Sequence, residues 1–319
     1  MPELALLRRH ALRNALIPMV TVLGVLTPRL LGGAVITETI FAWPGLGRLA
    51  VEAAITRDCP VIMGATLLVS LLVIACNLHP PETMDLLNQF APPSREHPLG
   101  TDESGRDVLA RLVHGARTSL AVGLAAMVVA IAVGTALGAA GGFYRGLPET
   151  LIMRLTDGML TVPTFFLALL VLAVFGSNVV NVVLVIGLTG WMVVARVVRA
   201  EVLRALPLEF VVASRALGAG ETRVLVRHLL PQALPSLIVA ATLGVAYAVL
   251  TESGLSYLGL GVQPPTPTWG NMLTGAQHYV WKSPSLALYP GAAIMLTVLS
   301  YNTLGDALSD TLDPRQAGA

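Results

Sequence analysis

Charge is scarce in this sequence. Asp, Glu, Lys and Arg make up 12% of its 319 residues, about half the share found in soluble domains. Lysine is almost absent, with Lys282 as its sole copy. A phosphate-binding P-loop needs a lysine preceded by glycine and followed by Ser or Thr. Trp281 stands before Lys282, so the chain carries no such loop and reads as a non-enzyme. Two cysteines, Cys59 and Cys76, are too few and too far apart for a disulfide framework or a metal knuckle. The six histidines form no close pair; His97, His228 and His278 read as structural groups rather than metal ligands. A net charge of +1 offers no basic face to nucleic acid. Met1-Pro2-Glu3-Leu4 has no basic n-region, so no cleaved leader is expected.

Apolar residues are abundant instead. They reach 55%, with a mean hydropathy of +0.73, and they fall in long runs. A bilayer core of about 30 Å takes roughly 20 apolar residues of helix. Seven candidate spans follow: Ala15–Ile40, Val61–Leu78, Ser119–Phe143, Thr150–Phe175, Val180–Val202, Leu234–Leu258 and Leu286–Leu304. The fold class is an all-α polytopic bundle of six to seven spans. Gly134, Gly138, Gly141 and Gly142 suit close helix packing.

Arginines orient the second half. Arg196, Arg199, Arg204, Arg215, Arg223 and Arg227 crowd one connector, whereas the loop from Val262 to Ser285 holds only Lys282. The positive-inside rule puts the first in the cytoplasm, with the carboxy terminus, and the second outside. Trp269, Tyr279 and Trp281 in the outer loop suit a membrane interface. Within the connector, Leu208 to Gly218 reads as a short amphipathic helix with Phe210, Val211, Ser214 and Leu217 near helical spacing and Glu209 and Arg215 elsewhere, ending on Gly218. A second short helix is expected from Glu221 to Leu230. The segment serves either as an interfacial helix on the membrane or as a dock for a cytoplasmic partner.

Here the sequence resembles the EAA loop of ABC-importer permeases, whose motif is EAA, three residues, then Gly. Val212-Ala213-Ser214 stands for the triplet and Gly218 for the glycine, with Val and Ser replacing Glu and the second Ala. His97-Pro98-Leu99-Gly100-Thr101-Asp102-Glu103-Ser104-Gly105-Arg106-Asp107 and Leu255-Ser256-Tyr257-Leu258-Gly259-Leu260-Gly261 resemble the C-type subunit of dipeptide, oligopeptide and nickel permeases. So do Arg227-His228-Leu229-Leu230-Pro231 and Pro267-Thr268-Trp269-Gly270-Asn271. The likeness runs from about Ala91 to Arg315. The first 78 residues resemble the tail of the partner B-type subunit, through Arg9-His10-Ala11-Leu12-Arg13-Asn14 and Trp43-Pro44-Gly45-Leu46-Gly47-Arg48. An ordered internal repeat agrees: Arg9-His10 pairs with Arg227-His228, and Gly45-Leu46-Gly47 with Gly259-Leu260-Gly261.

The resemblance implies a type I importer permease in a bacterial or archaeal cytoplasmic membrane. It divides the chain into a B-type fragment at 1–78, an extracytoplasmic segment at 79–118 and a transmembrane domain at 119–315, with the coupling loop at 203–231. Expected partners are a B-type permease subunit, two cytoplasmic ABC ATPase subunits, an extracytoplasmic substrate-binding protein and membrane lipid. ATP is bound by the partners; the chain itself takes no cofactor and no metal. Glu209, Phe210, Ala213, Ser214, Ala216, Leu217 and Gly218 are the coupling-loop residues. Asp157 and Glu252, the ionisable groups nearest the spans, are candidates for the transport path, against a reading as capping or snorkelling groups. The substrate is a peptide or nickel. Two other readings stay open: a rearranged permease that inserts without transporting, and a secondary transporter.

The amino-terminal fragment brings two rules into conflict. Arg8, Arg9 and Arg13 hold the first residues inside, yet two crossings then leave His79 to Arg117 on the wrong side. Arg29 beside Pro28 makes Ala15–Ile40 the span expected to fail, at about 2.5–3.5 kcal/mol for a central arginine. Val61–Leu78 would then cross alone and the loop from Trp43 to Pro60 would stay inside.

Overall fold

The computed structural model describes residues 80–312. The expectations for residues 1–78 lie outside them.

Every regular element of the described residues is helical. Helix α1 runs over Val108–Phe143, α2 over Leu147–Thr161, α3 over Thr164–Phe175, α4 over Val179–Ala205, and the short α5 over Glu209–Ala216. A continuous helix α6 covers Glu221–Tyr257. Helix α7, Trp269–Gln277, and α8, Ser285–Leu312, complete the order. Among the described residues, α1, α4 and α6 are long and apolar enough to cross a membrane, and α2 with α3 makes a fourth candidate if the bent pair is one span.

Local chemistry sets the boundaries. Asp107 caps α1 by accepting from the Ala110 N–H at 2.7 Å, so this helix starts eleven residues before the expected Ser119 and takes in the end of the 79–118 segment. Thr150–Phe175 is not one straight span. It breaks at Val162-Pro163 into α2 and α3, inclined by 86°. Pro163 has no N–H to donate and forces Val162 into extended backbone (φ −85°, ψ 127°). The expected separate helix Glu221–Leu230 is instead the first turns of α6, joined through a π-helical turn at Leu225–Leu229. Helix α8 forms where Leu286–Leu304 was expected, but falls short of the apolarity of the other spans. Asn302 and Tyr301 dilute its hydrophobic run.

The centre of the domain is the pairing of α1 with α4. A Cβ on Gly134 would meet Val194 Cβ at 2.6 Å, and one on Gly138 would enter the Ala195 carbonyl. These two glycines let the backbones approach. Around that seam Val198, Val202, Val224, Leu229 and Val249 form one core with Phe143 and Val211. Helix α6 packs against α1, α4 and α8.

Candidate functional site

The connector between α4 and α6 holds the segment singled out in the sequence. Its helix α5 buries one side chain, Val211, which is fully enclosed in the main core. That burial stabilises the helix by about 1.5–3 kcal/mol. The neighbouring apolar groups point the other way: Phe210 is 42% exposed, Val212 57% and Leu217 89%. Glu209, Ala213 and Ala216 are exposed with them. Phe210 is therefore exposed while Val211 is buried, contrary to the single apolar face expected. Gly218 takes φ +83°, which costs a residue without Cβ little. Its N–H reaches the Arg215 carbonyl at 2.9 Å and Ala219 N–H reaches the Ser214 carbonyl at 3.1 Å, the paired bonds of a Schellman ending.

Ser214 faces inward at the side of α6, with its hydroxyl 3.2 Å from His228 Nε2. The Arg215 guanidinium lies 5.5 Å from the centre of the Phe143 ring, at the last residue of α1, a cation–π distance. Val211, Ser214 and Arg215 are spaced i, i+3, i+4, so they share one helix face. The sequence reading sets Arg215 apart from Val211 and Ser214, whereas the structure brings it beside them, and nothing in the sequence paired Arg215 with Phe143 or Ser214 with His228.

A cavity of about 1020 Å³ lies between α1, α4 and α6, with Leu160 and Thr164 from the bent pair at its side. Its walls are mostly apolar, with the hydroxyls of Thr164, Thr189 and Tyr247 among them. Tyr247 meets Thr164 at 3.2 Å. Towards α5, Ser236 donates to Glu201 at 2.7 Å and Arg204 pairs with Glu201 at 2.5 Å. Asp157 is half exposed and pairs with Arg196 at 2.6 Å. A second pair, Glu149 with Arg199, also fastens α2 to α4.

Glu252 is fully buried in α6 and outside the cavity walls. Its carboxylate accepts from Ser119 of α1 at 3.0 Å and from Ser256 at 2.6 Å. Ser119 in turn accepts from the Trp269 N–H at 3.3 Å, and Ser256 from the Val262 N–H at 3.1 Å. Trp269, expected at a membrane interface, is buried, and its indole donates to the Leu112 carbonyl at 3.1 Å. Helix packing overrides the interfacial preference there. Trp281 of the same loop is 97% exposed.

The segment before α1 is tied down by carboxylates. Asp102 accepts from the N–H groups of Ser104 and Arg106 at 2.8 and 2.9 Å, and pairs with Arg106 and Arg111. His97 Nδ1 lies 2.9 Å from Asp107. Lys282 sits 3.9 Å over the Phe90 ring, joining this segment to the loop after α7.

The family described as "Binding-protein-dependent transport system inner membrane component" matches residues 1–89 and 120–318. The nickel transport system permease protein NikC of Escherichia coli K12 is 39% identical over 234 residues, 73% of this chain and 84% of that protein. The di/tripeptide transport system permease protein DppC of Pseudomonas aeruginosa is 41% identical over 266 residues, covering 79% and 88%. The glutathione transport system permease protein GsiD of Pectobacterium atrosepticum is 39% identical over 231 residues, covering 72% and 76%. A solved structure of the MetNI methionine ABC transporter in inward-facing conformations shares the fold: TM-score 0.51, 19% identity, 63% of this chain and 95% of that one.

Proposed function

The chain belongs to the family of binding-protein-dependent transport system inner membrane components, and from that premise we propose that it imports short peptides as the permease subunit of an ABC transporter. It works as a multi-pass protein of a bacterial or archaeal cytoplasmic membrane. The observation that carries the reading is α5: one buried anchor, Val211, and an outward apolar face of Phe210, Val212 and Leu217 on the arginine-rich connector. That face, with Glu209, Ala213, Ala216 and Gly218 around it, docks a cytoplasmic ATPase subunit, while Ser214 ties the helix to His228 on its inner side. ATP is bound and hydrolysed by two such subunits, and a B-type permease completes the pathway. A substrate-binding protein delivers cargo to the face formed by residues 80–107 and the loop after α6. The match of one family to both 1–89 and 120–318 supports the first 78 residues as a fragment of a second permease.

Mechanically, closure of the ATPase pair moves α5. The displacement passes into α1, α4 and α6, which wall the cavity, and alternates its access between the two sides of the membrane. The path runs through the cavity. Thr164, Thr189 and Tyr247 offer hydroxyls to a peptide backbone, and the apolar walls accept side chains of varied shape. Asp157 and Glu252 act as fasteners between helices. Nickel is the second reading, favoured by the likeness to NikC; among the described residues no three His, Cys, Asp or Glu groups converge as a metal site would require. Uptake decides between them. Cells whose own peptide and nickel importers are deleted should gain uptake of labelled alanyl-alanine, and not of radioactive nickel, when this chain is supplied with its transporter partners. Nickel uptake without peptide uptake would replace the peptide reading.

A further inference from the structure

The docking reading leaves open how motion of α5 reaches α1. The two are remote in sequence, so the motion cannot pass directly along the chain. On the carboxy-terminal side, α5 is joined to α6 through Leu217–Gly220, which contains Gly218 at φ +83° and a second glycine, Gly220. Such a linker transmits torque poorly. On the amino-terminal side α5 follows α4 after only Leu206–Leu208, so displacement along the chain reaches α4, and the non-covalent contacts of the inward face are the direct route to α1. Val211 inserts into the core, where it shares a cluster with Phe143. A smooth apolar contact of this kind resists separation but allows sliding. Ser214 contacts α6 at His228, within the π-helical turn. Only Arg215 reaches across to the end of α1 with a directional contact, its guanidinium 5.5 Å from the Phe143 ring centre. Phe143 is itself held, being 8% exposed. Close behind it Gly142 sits against Val202 of α4 at a would-be Cβ distance of 3.0 Å, so a push on Phe143 moves α1 and α4 together.

We propose that Arg215 is a positioning residue for transport: it couples displacement of the docking helix to the α1–α4 pair through the face of Phe143. Arg215 is exposed but lies on the Val211 side of α5, away from Phe210 and Leu217, with its guanidinium turned to the Phe143 ring. The inference rests on the docking reading of α5 given above.

The test uses the full chain assembled with the second permease, the ATPase subunits and the binding protein of its own transporter, reconstituted in proteoliposomes. Two quantities are measured: co-purification of the ATPase, and the stimulation of ATP hydrolysis by added binding protein. Arg215→Ala and Phe143→Leu should each reduce the stimulation by roughly 3–10-fold, within the span of coupling changes set by single contacts, with ATPase association unchanged; thermal unfolding should be unchanged in Arg215→Ala and modestly lowered in Phe143→Leu, which trims a core side chain. Arg215→Lys, which keeps a cation over the ring, should restore most of it. The Arg215→Ala/Phe143→Leu double variant should be no worse than either single change. Unchanged stimulation in both single variants, with the ATPase still bound, overturns this inference alone. Additive losses in the double variant also overturn it, as does loss of ATPase association in Arg215→Ala, which would make Arg215 part of the docking face. Failure of the unaltered chain to bind the ATPase overturns the docking reading itself, and this inference with it.

Discussion

Ser119 of α1 donates to the Glu252 carboxylate of α6 across 3.0 Å, although 133 positions separate the two residues in the chain. Ser256 donates to the other carboxylate oxygen, and Trp269 and Val262 donate their backbone N–H groups to the two serine hydroxyls. One carboxylate thus holds together α1, α6, the loop after α6 and the start of α7. Glu252→Leu strips both serines of their acceptor in a buried site, which costs about 1–3 kcal/mol for each group left unsatisfied. Glu252→Gln keeps an acceptor and should cost less. Thermal unfolding in detergent should rank the unaltered chain above Glu252→Gln and Glu252→Leu last. Equal melting of the two variants would remove the carboxylate from this fastening role.

The seam between α1 and α4 makes a sharper contrast. A Cβ at Gly138 would enter the backbone of Ala195, whereas at Gly141 the nearest atom is the flexible end of Met153 at 3.5 Å. Gly138→Ala should therefore lower stability by about 1–3 kcal/mol through overpacking, and Gly141→Ala should leave it unchanged or raise it by up to about 1 kcal/mol, the helix-propensity gain of Ala over Gly. Both are read by thermal unfolding of the purified chain. A tolerated Gly138→Ala would mean that the two backbones are farther apart than described.

The rough positions of the long helices in residues 119–312 could be read from hydropathy, because about 20 apolar residues leave a chain few alternatives to a helix; the nine-residue helix α7 could not, being too short to stand out as an apolar run. The bend between α2 and α3 could not. Proline is common inside membrane helices, and whether Pro163 kinks or breaks one depends on whether neighbours hold the freed groups. Helix α5 was legible as a segment, through Gly218 and the apolar spacing before it. Its orientation was not, because Phe210 and Val211 are equally apolar and only the core at Val202, Val224 and Leu229 decides which turns inward. Asp157 and Glu252 were found as rare charges, but their partners Arg196 and Ser119 come from other helices, and one sequence carries no record of such pairings.

The sidedness of the chain has its own consequence. Gln277 is exposed at the end of α7, on the loop poor in arginine. In a variant lacking Cys59 and Cys76, Gln277→Cys should react with an impermeant thiol reagent added to intact cells. Arg204→Cys, at the exposed end of α4, should react only after permeabilisation. The opposite pattern would invert the chain and put α5 outside, where no ATPase could reach it.

The most direct measurement is the capture of the ATPase subunit by the purified transporter when the outward face of α5 is altered. Phe210→Asp and Leu217→Asp change side chains that are 42% and 89% exposed, so the permease should still insert and melt normally. Each should cut ATPase recovery by at least about tenfold, as loss of a central apolar anchor does at other interfaces. Full recovery of the ATPase with both substitutions in place would contradict the assignment of α5 as its docking site.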